Sequence, residues 1–202
     1  MRFGRLLSLF AFALPLVVHA AASAQVRTFK VDESGANKIQ FVSDAPLERF
    51  TGTNTKVSGE IKVDPQKAAQ TKADIKVKMN AFKTGIALRD EHFQSENWLD
   101  AKKFPDAKFV ITKVTGLDVL KPGTPAEATI VGKFTLHGIT KDVTAKAKIR
   151  LVPGEGGKPE SLRVQATFKA KLEDHKISIP SIVALKVAPE VEVNVDMTGT
   201  KS

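Results

Sequence analysis

Acid–base or metal chemistry in this chain would have to start from its histidines, of which His92, His137 and His175 lie beyond the N-terminal 24 residues. No two of them stand at a ligand spacing such as four apart, so a metal site would require them to converge in space with a carboxylate. A small-lipid hydrolase or isomerase would make the same demand, and that alternative stays open. Glu173 and Asp174 are adjacent, and neighbours on an extended chain face opposite sides and cannot share one substrate atom. The sequence has no Gly-x-Ser-x-Gly turn and no cysteine, and its glycines are scattered among turns rather than gathered into a phosphate-cradling loop. His137 before Gly138 reads as a turn residue. His92, beside Arg89 and Asp90, reads as part of an ion-paired cap or as the recogniser of a ligand's polar end. The chain is therefore expected not to be an enzyme, with no catalytic residues, no metal and no cofactor.

What remains is apolar burial. Nine phenylalanines follow residue 24. Phe41, Phe109, Phe134 and Phe168 fall in stretches of alternating pattern, while Phe93, Trp98 and Phe104 fall between them. With Ile75, Val77, Ile111 and Val193 on inward faces, and Leu88, Arg89 and His92 near one end, they make the candidate ligand-binding set. An ordinary solid core is the competing account. Small inward residues such as Gly59, Ala73, Gly132, Ala145, Ala147, Ala166 and Ala170 leave room for an occupied cavity instead.

The elements that must position these residues are strands. Val143, Ala145, Ala147, Ile149 and Leu151 alternate with Thr144, Lys146, Lys148 and Arg150, the period-two mark of half-buried β-structure. The same rhythm runs through Ala73–Met79, Leu162–Leu172 and Val191–Met197. Shorter versions occur near Thr28–Asp32, Lys38–Ser43, Thr55–Val63, Lys108–Val114 and Ala128–Leu136. Nine candidate strands result, separated by turn signals such as Asp64-Pro65, Lys121-Pro122-Gly123 and His137-Gly138. Short connections imply an antiparallel meander. The fold class expected is all-β: an extended eight-stranded antiparallel lipocalin-like barrel, with a two-sheet sandwich as competitor. A helical cap is expected over roughly residues 86–103, ended before Pro105, and a second apolar cap over His175–Lys186.

Arg2 and Arg5 precede an apolar run from Leu6 to Val18, then Ala22-Ser23-Ala24. This reads as a cleaved signal peptide over residues 1–24, leaving one barrel domain over 25–202 and implying export to the periplasm. The run is shorter than the roughly 20 residues of a membrane-spanning helix. Tyrosine is absent and tryptophan occurs once, so the aromatic girdles of an outer-membrane barrel cannot be built. The formal charge of +9 comes from lysines spread strand after strand. A nucleic-acid binder would cluster them with stacking aromatics, so no nucleic-acid partner is expected. The partners in view are an apolar lipid, with transient contact to a membrane surface and a homodimer left open.

Two stretches carry a resemblance to a known family. Arg89–Phe109, reading RDEHFQSENWLDAKKFPDAKF, resembles the signature of the YceI-like family, and Val131–Thr144, reading VGKFTLHGITKDVT, resembles its second landmark. The two occur in the family's order. The resemblance implies a lipocalin-like periplasmic barrel that carries or sequesters a polyisoprenoid, an isoprenoid quinone or a fatty-acid derivative in its tunnel, without catalysis. A non-binding structural or stress-response adaptor is the other alternative. One departure is Leu172–Ile177, where many members carry an Arg-Ser-x-Phe-Gly-like stretch at the tunnel's polar end.

Overall fold

The computed structural model describes residues 25–202, and the signal-peptide expectation for residues 1–24 lies outside them. Ten strands form: β1 Arg27–Val31, β2 Lys38–Asp44, β3 Arg49–Asn54, β4 Val57–Val63, β5 Lys72–Lys78, β6 Asp106–Thr115, β7 Ala126–Leu136, β8 Ile139–Val152, β9 Ser161–Lys171 and β10 Glu190–Lys201. They pair antiparallel in one sheet that closes where β1 meets β10, Phe29 opposite Lys201 and Lys30 opposite Thr200. The ring has eight staves. β1 and β2 are two halves of one stave, because the lower half of β10 pairs with β1 and its upper half, Glu192–Asp196, with β2. Likewise β4 pairs with β1, and β3 with β2. The final strand does pair back to the first stave, as expected.

All nine expected strands are present, and β3 is added to them. The alternation that marked them is the alternation of burial. On β8, Ala145, Ala147, Ile149 and Leu151 are buried while Lys146, Lys148 and Arg150 are exposed. Each breakage of a stave leaves ladder groups without partners, and buried backbone groups must find others. Two buried asparagines supply them. Asn37 donates from Nδ2 to the Asp32 carbonyl (2.7 Å) and accepts from the Thr198 N–H (3.2 Å). Asn54 donates to the Lys78 carbonyl (2.6 Å) and accepts from the Lys56 N–H (2.7 Å).

The helix is shorter than expected. The helix α1 spans Ala87–Gln94 only, and the rest of the expected 86–103 cap is a string of turns. The Ser95 hydroxyl donates to the His92 carbonyl (2.7 Å), which terminates the helix, and Asp100 takes a left-handed φ of 43°.

The connections fall at two ends. At the end called upper here lie the β2–β3 turn (45–48), the β5–β6 connection carrying α1 (79–105), the β7–β8 turn (137–138) and the β9–β10 connection (172–189). At the lower end, residues 64–71 and 116–125 cross the opening. Leu120 N–H donates to the Pro65 carbonyl (2.7 Å) and Ala68 N–H to the Asp118 carbonyl (2.8 Å), with Ala68, Leu117 and Leu120 buried. Together with Phe29, Leu151 and Leu162, also buried, they form a packed floor.

Replacing Asn54 by Ala removes both bonds of a buried side chain and leaves the Lys78 carbonyl and the Lys56 N–H without that partner. The variant should lose about 2–4 kcal/mol of stability in urea unfolding. Asn194→Ala, whose side-chain bonds lie on the outer wall, should stay within about 0.5 kcal/mol of the parent.

Candidate functional site

Above the floor the barrel is hollow. A cavity of about 180 Å³ runs up its interior, lined from Leu117 and Leu120 below to Phe50, Phe93 and Trp98 above. An apolar cavity of comparable size, about 150 Å³, stays dry and takes apolar guests. The lining is apolar but for Ser43, Thr71 and Lys108. The Ser43 hydroxyl accepts from the Ala188 N–H (2.9 Å) and the Thr71 hydroxyl donates to the Ala68 carbonyl (2.7 Å). Lys108 is exposed and by alternation belongs to the outer face. Among the described residues, no buried side-chain atom without a hydrogen-bond partner belongs to a residue that lines this cavity.

The width comes from small residues. Ala73, Ala145, Ala166 and Ala170 line the cavity where larger residues would fill it. Glycines make room for rings as well: a Cβ on Gly52 would lie 2.1 Å from the Phe41 ring, and one on Gly132 2.4 Å from that of Phe109. Phe109, Phe134 and Phe168 pack side by side in the interior, with centroids 5.2 and 5.9 Å apart. At the mouth Phe41, Phe50, Phe82, Phe93 and Trp98 form a connected cluster with centroids 5.4–6.0 Å apart.

Of the expected ligand-binding residues, Phe41, Ile75, Val77, Phe93 and Trp98 line this cavity, as do Phe109, Ile111, Phe134, Phe168 and Val193. The other four do not. Leu88 and His92 are exposed on α1. Arg89 pairs with Glu48 (2.6 Å) and lies 4.3 Å over the Phe50 ring. Phe104 packs on His137, centroids 4.8 Å apart, and against Gly138. Phe50 and Phe82 are lining residues the sequence reading missed: one lies on the unforeseen strand β3, the other in a turn without periodicity. Val195 shares the parity of Val193 and was legible on that ground.

The Arg89-Asp90 pair holds the cap in place. Although burial opposes it, the Thr84 N–H and hydroxyl, at 2.7 and 2.8 Å, and Lys83 hold the Asp90 carboxyl below its usual range. His92, His137 and His175 do not converge on a carboxylate. His175 is buried, its Nδ1 lies 3.0 Å from the Ile139 carbonyl, and its own carbonyl meets His137 Nδ1 at 3.0 Å. The two histidines thus latch the β9–β10 connection to the β7–β8 turn. Among the described residues no group of three His, Cys, Asp or Glu could hold a metal ion.

An eight-stave barrel, floored below and hollow above, is by class a lipocalin-like barrel. Within that class the chain belongs to the YceI-like family, whose domain matches residues 29–199. It is 30% identical over 202 residues to the protein YceI of Salmonella newport, covering 96% of this chain and 97% of that one. Among solved structures it resembles the Campylobacter jejuni YCEI protein, at 26% identity and TM-score 0.63 over 75% of this chain and 84% of that one. The fold is also that of a polyisoprenoid binding domain from Saccharophagus degradans, at TM-score 0.66 and 14% identity over 88% of this chain and all of that one.

Burial holds the His175 imidazole below its ordinary value, against the Ile139 and Leu136 carbonyls and Asp174. The unfolded chain then binds a proton before the folded one does, so stability falls as pH drops through about 6.5 and levels off below the folded-state value. In urea titrations across pH 8 to 5, His175→Gln should lose this part of the slope while keeping the rest.

Proposed function

We propose that this protein holds the apolar tail of a long lipid in its barrel, as a carrier or store rather than a catalyst. The candidate ligands are a polyisoprenoid, an isoprenoid quinone or a fatty-acid derivative. The observation that carries this reading is the continuous apolar lining from the mouth to the floor, with no polar side chain left to orient a reacting group. A tail in water exposes several hundred square ångströms of apolar surface, and burial contributes roughly 25 cal/mol for each. That gain offsets the roughly 4–15 kcal/mol lost on association. The polyisoprenoid-binding neighbour in Saccharophagus degradans supports the ligand class. The residue pattern over 1–24 supports export to the periplasm, where lipid tails need a chaperone through water.

Affinity for a prenol series should rise with tail length until the cavity is full, then plateau, in a fluorescent-probe displacement assay. Ala145→Leu, which narrows the cavity at mid-height, should weaken the longest tails by about tenfold and leave the shortest unaffected. Affinity indifferent to tail length in both proteins would sink the proposal.

A further inference from the structure

Eight large apolar side chains are exposed among the described residues, and five of them crowd the upper end: Leu47 (68%), Ile86 (50%), Leu88 (61%), Ile182 (89%) and Leu185 (58%). They come from three separate connections that are tied into one surface. The Leu47 N–H donates to the Leu185 carbonyl (2.9 Å), and the Arg89–Glu48 pair (2.6 Å) fastens α1 to the β2–β3 turn. The segments of this crown also reach the cavity. Val187 follows Leu185 by two residues, Phe50 follows Leu47 by three, Phe93 shares α1 with Leu88, and all three line the interior. Each of the three connections, or the strand it leads into, therefore carries an exposed apolar side chain within five residues of one that lines the cavity.

The charge pattern narrows the partner. The whole chain carries +9, yet the four upper connections hold six Lys and Arg against seven Asp and Glu. The positive surplus lies on the walls, away from the crown. An exposed apolar patch of this kind marks a contact surface, and its lack of net charge argues for contact through apolar insertion. A water-insoluble tail must also be exchanged with another apolar phase.

We propose that the upper end is a membrane-docking surface. The five side chains insert among lipid headgroups and bring the mouth against the acyl layer from which a tail is drawn. The proposal rests on the tail-carrier reading and adds the face, the partner and the mode of contact.

Co-flotation with phosphatidylcholine vesicles tests it. The wild type should float with them, without anionic lipid and at high salt, because attraction to charged headgroups is not the driving force. The double variant Ile182→Asp, Leu185→Asp should partition at least about tenfold less while still binding a soluble short-chain prenol in solution. A wild type that binds the prenol but does not float overturns the docking surface. Flotation that requires anionic phosphatidylglycerol and vanishes with salt overturns the apolar mode. A wild-type dimer that the double variant makes monomeric, with no flotation, gives the crown to a second copy and overturns the proposal. Flotation without any prenol binding keeps the docking surface and removes the carrier reading beneath it.

Discussion

A sheet that closes on itself must pass every strand's open edge to a neighbour, and here the ring of backbone hydrogen bonds permits a hollow. Closure removes the edges on which strands aggregate. It also lets the wall stand without a filled centre, because the wall's polar groups are satisfied around the circumference rather than across it. The interior can then be given over to Ala73, Ala145, Ala166 and Ala170. Where the ring is interrupted, at 32–37 and at 55–56, Asn37 and Asn54 carry the missing bonds. The wall and the void are one design constraint: losing the bonds of the first would collapse the second.

The site owes its character to what Arg89 and Asp90 do away from it. Arg89 engages Glu48 and stacks on Phe50, while Asp90 binds Thr84. Both fix α1, and α1 presents Phe93 to Phe41, Phe50 and Trp98. Polar residues thus act on the cavity indirectly, as braces for the aromatic rings at its mouth. His137 and His175 serve similarly at the neighbouring connection, where each finds a backbone carbonyl.

Strand positions were legible because inside and outside differ by one residue, and long runs such as Val143–Leu151 repeat that contrast several times. The parity that marked the strands also placed Ile75, Phe109, Phe134 and Phe168 in the cavity. Strand β3 was not legible: in Arg49–Asn54 only Phe50 is a large apolar residue, and the rest are arginine, threonine, glycine and asparagine. The helix was overdrawn because residues 95–103 have helical composition. The Ser95 hydroxyl and the left-handed Asp100 override that composition locally. The expected site residues that do not line the cavity, Leu88, Arg89, His92 and Phe104, all come from this one connection. No period governs it, so side-chain direction there depends on tertiary partners such as Glu48 and Gly138. Phe50 and Phe82 escaped notice for the same reason.

The hydrogen bonds that join Leu120 to Pro65 and Ala68 to Asp118 make the barrel blind-ended. A molecule that goes in tail-first comes out head-first by the same route, and none can be threaded through from one side to the other. Such a vessel cannot serve as a standing conduit between two compartments. A carrier built on this plan would have to turn around and present the same face to whatever loads it and whatever empties it.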